Sequence, residues 1–82
     1  MNITVTFIGR YKTIVGKPEL TLTVTKGDTI WHVVDLLVGQ FPDLEKDKRF
    51  MIVSYNGVYA SKERKISTGD HITIAPPIVS GG

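Results

Sequence analysis

The last two residues, Gly81 and Gly82, put a carboxylate at the end of a segment without side chains, and no other part of the sequence is as well suited to chemistry. A free carboxylate is a poor acyl donor. Transfer of adenylate from ATP would convert it to a mixed anhydride, open to attack by a sulfur or amine nucleophile, dividing one difficult step into easier ones. Glycine has no Cβ and permits backbone conformations closed to other residues, so the pair can thread a narrow channel in an activating enzyme and later enter a second one. Ahead of it, Pro76 and Pro77 fix φ and donate no backbone hydrogen bond. Residues 76–82 therefore read as a stiff, extended C-terminal tail leaving a domain of residues 1–75.

No internal site competes with that terminus. The 82 residues include no cysteine, which excludes disulfides, thiolate zinc sites and cysteine nucleophiles. There is no glycine-rich phosphate loop with lysine and no HExxH. His32 and His71, the only histidines, fall on outward positions and are expected at the surface, so no metal site is expected. Asp28 and Asp70 each follow a glycine in a turn and read as cap and turn formers. Trp31 and the three tyrosines read as core-edge residues.

Ten Lys+Arg against eight Asp+Glu leave a formal charge of +2, and no aromatic-studded basic stripe accompanies it, so nucleic acid is not an expected partner. The charge runs Glu45-Lys46-Asp47-Lys48-Arg49 and Lys62-Glu63-Arg64-Lys65 read as solvated loops, the second basic enough to meet an acidic partner surface. The chain opens at once on strand-like alternation, and no apolar run is long enough to span a bilayer. The expectation is a soluble cytoplasmic protein with no membrane contact.

The elements that must hold such a tail follow from periodicity. Residues 2–8 alternate, with Ile3, Val5 and Phe7 on one face, and residues 19–25 alternate with Leu20, Leu22 and Val24 inward. Residues 10–18, with Gly16 and Pro18, read as a wide connection between these two strands of a hairpin. From Ile30 the period becomes helical. Ile30, Val33, Val34, Leu37 and Phe41 share a side, and Gly39 and Pro42 mark the end of a helix of about ten to twelve residues. Residues 50–55 form a nearly continuous apolar strand up to the Asn56-Gly57 turn, followed by a short segment at 58–60. After a polar connection at 61–68 and the Gly69-Asp70 turn, residues 71–75 alternate with Ile72 and Ile74 inward.

The fold class is therefore α+β: a mixed sheet with one main helix across a face, and the first and last strands parallel at its centre. The opposite face lacks a cover. Ile8, part of the Phe50/Ile52 set, Ala75, Ile78 and Val79 are the candidates for an apolar docking patch on it.

This element order, the Ser54-Tyr55-Asn56-Gly57 strand end, the Thr68-Gly69-Asp70 turn, the Ile72-Thr73-Ile74-Ala75 strand, and Pro76-Pro77 ahead of Ser80-Gly81-Gly82 resemble the MoaD/ThiS family of ubiquitin-like sulfur carriers. The resemblance spans the chain. Its double proline and the segment from Arg10 to Gly16 look most like MoaD, the small subunit of molybdopterin synthase, and ThiS proteins usually lack the prolines. It implies a β-grasp fold and a cycle in which a ubiquitin-activating-type (MoeB/ThiF-like) enzyme uses ATP to adenylate Gly82 and sulfur is installed as a thiocarboxylate. A MoaE-like large subunit, in a heterotetramer, would then receive the tail and build the dithiolene of molybdopterin.

On this analogy Gly82 carries the covalent sulfur and Gly81 gives access, while the chain binds no cofactor and has no self-contained active site. Pro76, Pro77, Ile78, Val79 and Ser80 would line the partner's channel, and Phe7 would join the docking contacts. MoaD tails place two residues between prolines and glycines where this chain has Ile78, Val79 and Ser80, lengthening the reach by about 3.3 Å if extended. A ThiS-like or tRNA-thiolation carrier, a ubiquitin-like modifier joined through Gly82, and a plain interaction module stay open as alternatives.

Overall fold

The computed structural model describes residues 1–77. Its elements are β1 (Asn2–Phe7), α1 (Arg10–Val15), β2 (Glu19–Thr23), α2 (Ile30–Gln40), a 3₁₀ helix (Pro42–Asp47), β3 (Ile52–Tyr55), β4 (Val58–Tyr59) and β5 (His71–Ala75). The sheet order is β2-β1-β5-β3-β4. The first and last strands are its parallel centre, with Val5 opposite Ile72 and Phe7 opposite Ile74, as the sequence pattern implied.

Alternation decides which face of this sheet is buried. Ile3, Val5, Phe7, Leu22, Val53, Ile72 and Ile74 all point to one side and are at most 8% exposed. Ile30, Val33, Val34 and Leu37 of α2 are fully buried with them in one hydrophobic cluster. Each such side chain contributes roughly 1.5–3 kcal/mol of burial, so Leu37→Ala would cost about 2–5 kcal/mol. The observed α2 has 11 residues, within the expected length.

The start of α2 is closed differently from the expectation. Thr29 occupies the N-cap with an extended backbone, but no side-chain bond is made there. The free N–H groups of Ile30 and Trp31 donate instead to the carbonyls of Arg64 and Lys62, at 3.0 and 2.8 Å. Asp28 works one turn earlier, accepting from the Thr25 N–H at 2.9 Å and so closing the Lys26-Gly27 turn. The run from Lys62 to Lys65 is thus not a merely solvated loop: its main chain caps a helix.

Two further stretches differ from their reading. The wide connection at 10–18 contains α1, whose Tyr11, Ile14 and Val15 recur at helical spacing between Gly9 and Gly16. Gly16 ends it in the left-handed region, donating its N–H to the Lys12 carbonyl at 2.9 Å. The charge run at 45–49 supplies the end of the 3₁₀ helix, and its Asp47 is an anchor: Tyr11 donates its hydroxyl to Asp47 Oδ2 at 2.9 Å, and Arg10 binds the same oxygen. Tyr11 is wholly buried, so it belongs to the core and not to its edge. Burial first, then the bond to Asp47, pushes its phenol well up.

Candidate functional site

The tail leaves the sheet where β5 ends. The last rung of the parallel ladder is the Ile8 N–H donating to the Ile74 carbonyl at 3.0 Å. Pro76 and Pro77 offer no N–H with which to continue it. Beneath them lies Gly9, at φ 60 and ψ −134, a conformation that is the mirror image of an ordinary extended one and is open to glycine alone. A Cβ built at Gly9 would stand 3.6 Å from Cγ and 3.8 Å from Cδ of Pro76. The proline ring therefore rests over the bare α-carbon, and this contact fixes where the tail begins. Gly81, Gly82, Ile78, Val79 and Ser80 lie outside the described residues.

Beside this root, Ile8, Ile52, Ser54, Tyr59, Thr73, Ala75, Pro76 and Pro77 line a groove of about 440 Å³ on the sheet face opposite α2. Register puts them together. Ile52 faces Ala75 across β3–β5, and Ser54 faces both Thr73 and Tyr59. Away from the tail the same face becomes hydroxyl-rich, with Thr4 and Thr6 of β1 next to His71 and Thr73 of β5. Thr6 Oγ1 and His71 Nε2 are 2.6 Å apart there. The uncovered face thus grades from apolar beside Pro76 and Pro77 to polar at the other end.

Two residues assigned to docking are elsewhere. Phe7 is 1% exposed, because a strand of period two that buries Ile3 and Val5 must bury Phe7 with them. Its neighbour Ile8, 45% exposed, is the one that reaches the open face. Phe50 is 65% exposed but precedes β3: the N–H groups of Phe50 and Met51 both return to the Asp47 carbonyl, at 2.8 and 3.0 Å. It lines a separate cleft with Trp31 and is no part of the tail groove.

Gly9 and Tyr59 are the site residues that sequence reasoning missed. Tyr59, 81% exposed, is far from the core edge assigned to it. Asn56 and Gly57, both at positive φ, form a tight hairpin that sets Tyr59 opposite Ser54. That hairpin was the available signal for Tyr59, whereas Gly9 had none beyond being a glycine next to a strand end.

The titratable groups of the described residues form structural clusters. Asp70 is 8% exposed and accepts from the Tyr55 hydroxyl, the Ser67 N–H and Asn56 Nδ2. Burial opposes its ionisation, but these bonds outweigh it and hold the carboxyl below the usual range. The Tyr55 phenol is pushed up, first by its bond to Asp70, and Arg64 stacks 4.3 Å from the Tyr55 ring centroid. Asp47 is likewise held low, with burial outweighed by the bonds from Tyr11 and Arg10. His32 is exposed, 3.3 Å from Asp28, and His71 is exposed on the open face. No group of three or more His, Cys, Asp or Glu among the described residues is placed to hold a metal ion. No helix among them is long and apolar enough to cross a membrane.

A five-stranded mixed sheet with its first and last strands parallel at the centre, one long helix across one face and a proline-stiffened C-terminal exit defines a ubiquitin-like β-grasp protein. A model of the ThiS family matches residues 5–82. The chain is 33% identical over 82 residues to a molybdopterin synthase sulfur carrier subunit of Arabidopsis thaliana, covering 100% of this chain and 84% of that protein. Its fold is similar to that of SAMP1 from Haloferax volcanii, with a TM-score of 0.82, 24% identity and 100% of both chains covered. It is also similar to a chain in the complex of subunits 1 and 2 of the molybdopterin-converting factor from Helicobacter pylori. There the TM-score is 0.68 at 16% identity, covering 99% of this chain and 100% of that one. The chain belongs to the ThiS family, and its resemblance to the MoaD/ThiS carriers holds along its length.

Proposed function

We propose that this protein is the sulfur-carrying small subunit of a molybdopterin synthase. The observation that carries the reading is the identity to a plant sulfur carrier subunit across the whole chain, tail included. The geometry supports it: Pro76 rests over Gly9 where the tail begins, and an apolar groove lies beside it.

In this reading a MoeB/ThiF-like enzyme docks on the open face and takes in the tail, with Ile78, Val79 and Ser80 in its channel. A Gly82 carboxylate oxygen attacks the α-phosphate of ATP and pyrophosphate leaves. Sulfide-level sulfur delivered by the activating machinery then attacks the acyl carbon, AMP departs, and the terminus becomes a thiocarboxylate. The side-chain-free Gly81 and Gly82 allow both partners to close around the reacting carbonyl. A MoaE-like large subunit next receives the tail, and the thiocarboxylate sulfur forms a bond to a carbon of the pterin precursor. Water then cleaves the resulting thioester at the acyl carbon, and the sulfur stays on the forming dithiolene while the carboxylate returns for another cycle. The Helicobacter pylori structure is a complex of subunits 1 and 2, which supports assembly with such a partner.

Intact-mass spectrometry tests the chemistry. Incubation with the activating enzyme, ATP and a sulfur source should add the mass of one oxygen-to-sulfur exchange, and deletion of Gly81-Gly82 should abolish it. Complementation of a strain lacking the synthase small subunit tests the pathway. The mass change without complementation would instead indicate a thiazole or tRNA-thiolation carrier, and isopeptide linkage of Gly82 to lysines of other proteins would indicate a modifier.

A further inference from the structure

A second surface lies on the helix side of the sheet and shares no residue with the tail groove. Between α2 and the 3₁₀ helix, Trp31 and Phe50 line a cleft of about 500 Å³. Phe50 is 65% exposed, an unusual place for a phenylalanine ring, and Trp31 is half-buried beside it. Lys46 and Arg49 line the same cleft, both exposed, and neither is in an ion pair among the described residues. The Lys62 ammonium stands 5.2 Å from the Trp31 ring centroid.

The acids around the cleft are mostly engaged. Asp35 is paired with Lys48 at 2.6 Å, and Glu63 accepts from Ser61 and Trp31. The donors to Glu63 are neutral, so its charge stays and offsets Lys62. Of the lining residues, Lys46 and Arg49 are the cations outside an ion pair and Glu45 the one such acid, a surplus of one positive charge.

We propose that this cleft docks an acidic segment of a partner protein bearing one large apolar side chain. The side chain seats between Trp31 and Phe50, and flanking carboxylates reach Lys46 and Arg49. Burial of the exposed ring supplies the attraction and the cations set the sign of the partner's charge. Aromatic rings and cations could also suit single-stranded nucleic acid. A peptide fits better here, because it can space its carboxylates away from Asp35 and Glu45, which a continuous phosphate backbone could not avoid. Phe50, on one side of the cleft, lies two residues before β3, which begins at Ile52 opposite Ala75.

Trp31 is the only tryptophan, so its fluorescence reports on this cleft alone. The titrant is a short blocked peptide of aspartates flanking one phenylalanine, compared with its alanine counterpart, a lysine-flanked version and oligouridylate. The phenylalanine–aspartate peptide should shift Trp31 emission saturably below about 1 mM, with the others weaker by about tenfold or more. Phe50→Ala and the pair Lys46→Glu and Arg49→Glu should each weaken it by about tenfold. Lys17→Ala, exposed and in neither groove, should leave the peptide's affinity unchanged. No saturable response, equal binding of the lysine peptide, tighter binding of oligouridylate, or indifference to the Phe50 and Lys46/Arg49 substitutions would each overturn the proposal. A thermal melt of each variant confirms that the fold is retained, which exposed positions should allow.

Discussion

Replacing Gly9 by alanine isolates the one backbone conformation on which the tail root depends. At φ 60 and ψ −134 an L-residue is strained, at roughly 1–3 kcal/mol. The new Cβ adds no clash, because 3.6 Å from Pro76 Cγ is ordinary van der Waals contact. Alanine also narrows the unfolded ensemble, returning about 0.4–1 kcal/mol. A net loss of about 1–2 kcal/mol follows, which for a domain of this size lowers Tm by roughly 4–16 °C.

Gly39→Ala is the internal control. Gly39 lies in α2, with nothing beyond its chain neighbours and its own helix backbone within 4 Å of its would-be Cβ and without positive φ, so the same chemical change should stabilise by about 0.5–1 kcal/mol. Circular-dichroism melts and urea titrations of the three proteins read both signs. A Gly9→Ala protein as stable as the parent, or a Gly39→Ala protein destabilised like it, would refute the reasoning. In the first case the chain would not need the mirror-image conformation on which Pro76 rests.

Asp47 and Asp70 both have folded-state carboxyls held below the usual range, so between folded and ordinary values the unfolded chain binds more protons. Their contribution is therefore complete above about pH 5 and is lost as pH falls through the lowered values, which urea midpoints between neutral pH and about pH 2 should show as a steep acid decline. Asp70→Asn, which weakens the bonds from Tyr55 and the Ser67 N–H, should cost about 1–3 kcal/mol at neutral pH and flatten part of that decline. Ile8→Glu should leave stability within about 0.5 kcal/mol, since Ile8 is 45% exposed, yet slow thiocarboxylate formation when measured with the activating enzyme. Normal kinetics in that variant would remove the tail groove from the docking surface.

Much of the fold was legible because its signals are local and repeated. Alternation in β1 and β5 and the helical spacing of Ile30, Val33, Val34 and Leu37 each assign a face without reference to the rest of the chain. The helix α1 was hidden because six residues between two glycines give barely one repeat of a helical pattern. The charge runs misled for a related reason: composition reports solvation, but it cannot show that Asp47 is reached by Tyr11 or that the carbonyls of Lys62 and Arg64 close the start of α2.

By itself the sequence determined an α+β class, a mixed sheet under one main helix with its first and last strands as a parallel central pair, and two prolines directly behind the last strand. Covalent order and period-two or helical spacing are enough for those. Tertiary structure alone decided which side chains meet at the tail root. Phe7 and Ile8 are adjacent in sequence, yet the pleat sends one into the core and the other to the groove. Pro76 lies over Gly9, and Tyr59 joins Ile52 and Ala75, only because β-strand register brings distant residues together. Register is a property of paired strands, and no single segment contains it.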